Sequence, residues 1–245
     1  MGRLVLVLFA LAGCDKLLSL DPIRPLPDGP PYVVCSVLSP PPLYCADFDE
    51  DSDLGYLSGA PVPLPTPTGN VTAVRRAPAG GSPPDALWID SHDDTYRIEA
   101  TEASVVTQIH ATFALAVTRA SSQPAELVEL GVQAAAFDHC YVQLYIDPQN
   151  HPTPELWLKS HCGNPEVQSS ARVLAGLPAE LTPVTYDFDL AAGIATVQIA
   201  QASSTLPLQL ADPVGGGPHV YAGMLMTGGA GPALALDDLV VTTGR

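Results

Sequence analysis

The chain has 245 residues, a formal net charge of −16 and only two lysines. An acidic field of this size repels phosphate backbones, so we expect no nucleic acid partner. Hydrophobic residues make up 47% of the chain, beside 26 prolines and 20 glycines. This composition favours a folded all-β chain over a disordered one.

The N-terminal stretch MGRLVLVLFALAGC reads as an export signal. Arg3 precedes an apolar run, Leu4–Ala12, that is much shorter than the roughly 20 residues of a transmembrane helix. The ending LAGC resembles the bacterial lipoprotein signal, which implies that Cys14 is lipidated and becomes the first residue of the mature chain. We therefore expect a signal peptide at 1–13 and a lipid anchor on a membrane of the bacterial cell envelope, facing the periplasm or the exterior. An ordinary signal peptide with an incidental cysteine is the alternative.

The lipidated cysteine and a proline-rich tether occupy 14–34. The segment DKLLSLDPIRPLPDGPP contains five prolines and little periodicity, and such segments stay extended. The remaining residues, 35–245, are predicted to form one β-sandwich domain, although the length also allows two small domains.

Strands of the domain are predicted from alternating apolar residues. The first is expected around Phe48, between Asp47 and Asp49, and a proline-rich loop is expected at Ala60–Gly69. No segment has a convincing helical stripe, and about a dozen strands at this spacing are typical of a two-sheet sandwich. The other predicted strands are Val71–Arg75, Ala86–Ile89, Thr95–Ala100, Ser104–Val117, Ala125–Gln133, the hairpin Phe137–Cys162, Ser170–Ala175, Val184–Leu190, Ile194–Ala200, Leu206–Leu210, Val220–Met226 and Leu234–Thr242.

The hairpin Phe137–Cys162 gives the most specific prediction. Pro148–Pro154 cannot continue a ladder and is its loop. Folding Ile146 opposite Leu156 brings Cys140 opposite Cys162, at a separation of roughly 4.5–5.5 Å that suits a disulfide.

The other cysteines follow from that pairing. With Cys14 in the anchor and Cys140 bonded to Cys162, Cys35 is left to pair with Cys45. A zinc site is the rival, but adjacent His and Cys residues on one strand point to opposite faces, which makes it improbable.

The opposite face of the hairpin carries rings and hydrogen-bonding groups. Sugar-binding clefts often have this composition, because aromatic rings stack on pyranose rings and polar neighbours contact the hydroxyls. An outer face covered by loops or by a neighbouring strand is the alternative. The candidate contacts are Tyr141, Gln143, Tyr145, Trp157, Lys159 and His161.

The chain resembles the concanavalin A-like lectin/glucanase jelly roll in its laminin-G-like form. The motifs CADFDE, VTYDFDLAAGIATVQI and LALDDLVVTTG, with the cysteine hairpin between them, carry this resemblance over roughly Cys45–Thr243. It implies a concave glycan-binding sheet, and first and last strands side by side, with Phe48 near Leu236 and Leu239.

The resemblance also implies a structural calcium site near the two chain ends. Carboxylate oxygens are the hard ligands that Ca²⁺ prefers. The candidates are Asp47 and Asp49 with Asp237 or Asp238. The alternative is that Asp51 and Asp53 are solvated turn residues and that Asp237-Asp238 is a strand-edge charge.

Hydrolases of this family carry a Glu-x-Asp-x-x-Glu strand, which the middle strands lack. Glu126 and Glu129 are three residues apart and are therefore expected on opposite faces. Nucleophile-elbow, Walker, HExxH and dinucleotide motifs are also absent from the sequence. We expect no enzymatic activity, and predict a non-catalytic carbohydrate-binding or adhesion lipoprotein. The alternative is a structural envelope lipoprotein without a small ligand; a glycoside hydrolase is least favoured.

Overall fold

A computed structural model describes residues 35, 38–48, 54–67, 71–76, 85–91, 96, 98, 106–135, 138–162, 167–208, 218–222 and 231–244. The chain divides into two units, Met1–Val33 and Val34–Arg245, and every described residue belongs to the second. The predicted signal peptide, Cys14 and the tether lie outside the described residues. Within the described part, no helix has the length and hydropathy needed to span a bilayer.

The described residues form fifteen strands and no long helix. The alternation of apolar and polar residues explains most of them, since one face of each strand is buried. Their bounds are β1 Tyr44–Ala46, β2 Leu54–Leu57, β3 Ala60–Pro63, β4 Val71–Arg76, β5 Ala86–Ser91, β6 Gln108–Arg119, β7 Ala125–Ala135, β8 Asp138–Ile146, β9 Leu156–Cys162, β10 Val167–Leu174, β11 Thr182–Asp189, β12 Ile194–Ile199, β13 Ala202–Pro207, β14 Pro218–Ala222 and β15 Ala233–Gly244.

These strands make two antiparallel sheets. The large sheet has ten strands in the order β13-β12-β11-β6-β15-β1-β2-β3, with β5 paired to β15 and β4 paired to β5. The small sheet has five strands in the order β10-β9-β8-β7-β14. The predicted all-β, two-sheet antiparallel sandwich is confirmed, and so is the expected pairing of the first strand with the last, where Ala46 lies opposite Leu239.

One hydrophobic core lies between the sheets. The inward residues of the hairpin, including Leu144 and Leu158, belong to the same buried cluster as Tyr186 and Phe188 of the large sheet. The hydroxyl of Tyr186 crosses the core and donates to the backbone carbonyl of Val128 at 3.4 Å. The other face of the small sheet points away from this core, and of its side chains Gln143 and His161 are buried.

The predicted hairpin register is confirmed. Leu144 lies opposite Leu158, Val142 opposite Ser160, and Cys140 opposite Cys162. The disulfides Cys140–Cys162 and Cys35–Cys45 are both formed. The tight turn expected between the two strands after Thr182 is also present, with Gly193 at a φ of 66°.

The structure differs from the predicted strands near the N-terminus. Phe48 is not in the first strand: β1 ends at Ala46, and Phe48 has a φ of 61°, in the left-handed region that ladders exclude. Its side chain is nevertheless buried in the core with Leu236 and Leu239. The predicted loop beginning at Ala60 forms β3, because the missing proline N–H donors are tolerated on a strand at the sheet edge.

The strand predicted at Leu206–Leu210 is also displaced. It begins earlier, as β13, because Ala200 takes a φ of 51° and lets the chain reverse so that Ile199 lies opposite Ala202. The strand predicted at Thr95–Ala100 falls mostly outside the described residues.

Candidate functional site

The outer face of the small sheet holds all six predicted ligand contacts. In the register of β8 and β9, Tyr141 lies opposite His161, Gln143 opposite Lys159, and Tyr145 opposite Trp157. Because side chains alternate along a strand, these six residues point away from the core, whereas Cys140, Val142 and Leu144 point into it. The six residues therefore form three rows across two neighbouring strands, which we call the outer face.

The first row is a stacked pair of rings. The rings of Tyr141 and His161 lie 4.9 Å apart between centroids, with an interplanar angle of 19°. Gly131 of β7 is the next neighbour of Tyr141. A Cβ atom on Gly131 would lie only 2.7 Å from Cβ of Tyr141, so the missing side chain is what makes room for this ring.

The third row is an aromatic platform built on Trp157. The His151 ring stacks on Trp157 with 4.0 Å between centroids. Trp157 Nε1 donates to Glu155 Oε2 at 3.3 Å, and Arg172 Nη1 donates to Glu155 Oε1 at 3.1 Å. Tyr145 and Trp157 are both half-buried, and the loop residue His151 covers one face of the indole. These contacts hold the indole in one orientation.

The middle row is polar and lies deeper. Gln143 is only 2% exposed, and its Nε2 donates to Glu129 Oε2 at 2.7 Å. Lys159 places its ammonium 5.9 Å from the centroid of the Tyr145 ring, within the range of a cation–π contact. Gln143, which is predicted above as a ligand contact, therefore lies beneath the surface and holds Glu129 in place.

A β-bulge at Leu127 brings two glutamates onto this face. Glu126 lies opposite Tyr145 and Val128 opposite Leu144, so Leu127 is an extra residue in β7. Leu127 and Val128 are both buried, whereas Glu126 and Glu129 lie on the other side of the strand. The prediction that the two glutamates occupy opposite faces is therefore wrong, because it assumed uninterrupted alternation.

The carboxyl group of Glu126 is perturbed by its surroundings. Burial, followed by the neighbouring Glu129, raises the pKa of Glu126 to about 7, although Lys159 and a hydrogen bond from Gln143 act in the opposite direction. Oε2 of Glu126 and Oε1 of Gln143 are buried acceptors without a hydrogen-bond partner. A carboxyl group that titrates near neutral pH can both donate and accept a proton.

Sequence reasoning did not identify Glu126, Glu129, His151, Glu155 or Arg172 as parts of this face. One signal was present: two successive apolar residues, Leu127-Val128, separate the glutamates and interrupt the alternation, which a bulge restores. The contributions of His151 and Glu155 depend on the path of a loop. No periodic pattern encodes that path.

The predicted calcium ligands are partly described. The pairing of Ala46 with Leu239 places Asp47 on the segment beside Asp237 and Asp238. Asp47 and Asp237 are buried, and their carboxylates accept backbone N–H groups of Cys35 and Asp238, respectively. Among the described residues no three acidic, His or Cys side chains gather as a metal site. Asp49 lies outside the described residues, so the calcium site stays a prediction.

Comparison with known proteins gives similarity of fold. No protein-family model matches the chain, and no curated protein matches it in sequence. Three similar solved structures are the marine PL-14 alginate lyase from Aplysia kurodai, the Emp47p carbohydrate recognition domain and the cellulose induced protein Cip1. Their identities are 8%, 12% and 12%, and their TM-scores 0.49, 0.48 and 0.48.

The coverage is broad in all three cases. The alignments span 71%, 82% and 74% of this chain, and 87%, 95% and 90% of the other chains, in the same order. At such low identity and TM-score, none of these structures assigns a functional residue to this chain.

The expectation that this chain has no enzymatic activity is wrong, because the grounds on which it excluded catalysis do not hold. Several of the structures that this chain resembles in fold are alginate lyases. The structural reason for the exclusion also fails, since the bulge places Glu126 and Glu129 on one face. The missing glucanase motif therefore does not decide the question.

Proposed function

We propose that this protein is an extracytoplasmic lipoprotein, anchored through Cys14, whose outer face binds a carbohydrate. The anchor attaches the domain to a membrane of the bacterial cell envelope. The small sheet, β10-β9-β8-β7-β14, presents the binding surface.

The observation that carries this proposal is the composition of the three rows. Rings at Tyr141, Tyr145 and Trp157 offer flat apolar surfaces for the C–H face of a sugar. Lys159 and Glu129, which the buried Gln143 holds in place, supply hydrogen-bonding groups between the rings. Ligand sites combine apolar and aromatic walls with a few fixed polar groups in this way. Stacked and hydrogen-bonded side chains are already ordered, which reduces the entropic cost of binding.

A second candidate function is cleavage of a glycosidic bond on the same face. The pair Glu126 and Glu129 favours it, because one carboxyl group is protonated near neutral pH beside a second carboxylate. In such a reaction Glu126 donates its proton to the leaving oxygen while Glu129 takes a proton from the attacking water. The products are two shorter sugars, and one water molecule is consumed.

A glycan array with the full-length protein tests binding. Trp157→Ala should abolish binding to the glycans that the unmodified protein binds on the array. Trp88→Ala is the matched control, because Trp88 lies on β5 of the large sheet and packs near Ala86, Ala116 and Ala235. Silence of the unmodified protein across the array would contradict the proposal.

A reducing-end assay tests cleavage. The unmodified protein, incubated with each glycan it binds, should release new reducing ends, and Glu126→Gln should release none while still binding. If the protein binds a glycan but releases no reducing ends, carbohydrate binding is supported and cleavage is contradicted.

A further inference from the structure

A cavity of about 140 Å³ lies beside the Trp157 platform, at the end of the small sheet. Three connections form it: the β6–β7 loop with Ala120 and Ser121, the β8–β9 loop from Asp147 to Glu155, and Leu177 after β10. Its volume is well below the roughly 300–1,000 Å³ of sites for drug-sized ligands. The space therefore suits a single ring rather than a length of chain.

The loops around this cavity are fixed by hydrogen bonds. Asp147 Oδ1 accepts the backbone N–H groups of Gln149 and Asn150 at 3.2 and 3.1 Å, and its Oδ2 accepts the Asn150 side-chain amide at 2.7 Å. The side chain of Gln149 donates to Gln123 Oε1 of the neighbouring loop at 2.6 Å. The cavity is thus formed before any ligand arrives, and binding need not order it.

The walls match a sugar ring. Pro148, Pro152 and Pro154 contribute rigid apolar surface, while His151 and Glu155 contribute polar groups. A pyranose has C–H faces that pack on such surfaces and hydroxyl groups that donate to a carboxylate.

Two residues connect the cavity to the outer face. His151 lines the cavity and stacks on Trp157, and Glu155 lines it and accepts the indole N–H. A sugar in the cavity and a sugar on Trp157 would therefore share one wall. This continuity suits neighbouring units of one glycan.

The charge of the cavity selects among sugars. Burial alone would raise the pKa of Asp147, but its hydrogen bonds from Asn150 and Gln149 outweigh this and lower the pKa, so the carboxylate stays ionised at neutral pH. Glu155 adds a second carboxylate, which is shared with Arg172. The chain as a whole carries −16. A uronic acid would meet like charges, whereas a neutral or amine-bearing sugar would not.

We propose that this cavity is a terminal subsite, which holds the end unit of a neutral or amino-sugar glycan whose next unit lies on Trp157. This inference rests on the proposed carbohydrate-binding function. It adds the position of the chain end and the class of sugar.

Calorimetric titration of the full-length protein tests this subsite. The probes are cellotetraose, mannotetraose, chitotetraose and a tetrauronate. Ala120→Trp fills the cavity from its exposed rim without removing a polar contact, and Ala191→Trp in the exposed β11–β12 turn is the matched control. Thermal melting verifies that both variants fold.

We expect at least one neutral or amino-sugar probe to bind, and Ala120→Trp to weaken its binding by about tenfold or more, with no change in Ala191→Trp. The tetrauronate should bind at least about tenfold more weakly than that probe. If Ala120→Trp binds the probe as tightly as the unmodified protein does and Trp157→Ala does not bind it, the subsite is overturned and the proposed function remains. A tetrauronate that binds as well as the neutral probe would overturn the sugar class. If none of the probes binds, the subsite is overturned, whereas the proposed function fails only if the glycan array is also silent.

Discussion

Glu126 and Glu129 lie on the same face of β7, although three positions separate them, because Leu127 is an extra, buried residue between them. Regular alternation would place the two glutamates on opposite faces, and the bulge brings them onto one face. Gln143 joins them from the neighbouring strand by donating to Glu129. This arrangement gives the outer face a group that titrates near neutral pH.

The first prediction concerns the stability of Glu126→Gln. The pKa of Glu126 is about 7 in the folded protein, against 4.5 as its ordinary value, so folding favours the protonated form. The resulting stability is fully present below pH 4.5 and is lost as the pH rises towards about 7. Glu126→Gln should remove this loss, and should exceed the unmodified protein in free energy of unfolding by roughly 2 kcal/mol at about pH 8.

Urea unfolding at a series of pH values measures this difference. Glu180→Gln is the control, because Glu180 is exposed in the loop between β10 and β11. Parallel pH profiles for Glu126→Gln and the unmodified protein would show that Glu126 ionises normally.

The second prediction concerns the carboxylate that orients Trp157. Glu155→Gln keeps an acceptor for the indole N–H, whereas Glu155→Ala removes it along with the contact to Arg172. In Trp88→Phe, which leaves Trp157 as the remaining tryptophan, we expect Glu155→Ala to lower the fluorescence anisotropy of the indole. Glu155→Gln should preserve most of it. Identical anisotropy in all three proteins would mean that Glu155 does not position the ring.

The third prediction concerns the hairpin disulfide. Cys140 and Cys162 are separated by 22 residues, so replacing both with alanine should lower the free energy of unfolding by about 3 kcal/mol through the freed chain entropy. Replacing Cys35 and Cys45, separated by 10 residues, should cost somewhat less. Denaturant unfolding under oxidising conditions measures both. An unchanged unfolding midpoint for the first pair would contradict the prediction.

The fourth prediction concerns calcium. If Asp49 completes a site with Asp47 and Asp237, adding Ca²⁺ to chelator-treated protein should raise the melting temperature, because an ion that binds only the folded state stabilises it. Asp49→Asn should remove most of the increase, and Asp85→Asn should not. No response of the unmodified protein to Ca²⁺ would remove the predicted site.

The sequence contains enough information for the hairpin and little for the bulge. Cys140, Leu144 and Leu158 follow a strict period of two, and the cysteine pair permits one register, so the confirmed pairing could be derived locally. The pair Leu127-Val128 interrupts the pattern. Until the partner strand is known, such an interrupted strand can be interpreted either with uninterrupted alternation or with a bulge at the interruption.

The local sequence pattern does not predict which side chains the β8–β9 loop contributes to the site. His151 stacks on Trp157, and Glu155 bonds to Arg172, because the β8–β9 loop turns back towards β9 at the end of the hairpin. That path depends on the hydrogen bond between Gln149 and Gln123, residues that are separated by 26 positions. Alternation and composition predict the rings of the face. They do not predict the loop that holds them.

The central claim is that sugar binds on the outer face of the small sheet, and the two tryptophans of the chain test it directly. Trp157 lies on β9 of the small sheet and Trp88 on β5 of the large sheet. The measurement is the change in tryptophan fluorescence when the best-binding glycan is added to Trp88→Phe, which retains Trp157, and to Trp157→Phe, which retains Trp88. We predict a saturable change in Trp88→Phe and none in Trp157→Phe; a change confined to Trp157→Phe would place the glycan on the other sheet and contradict the claim.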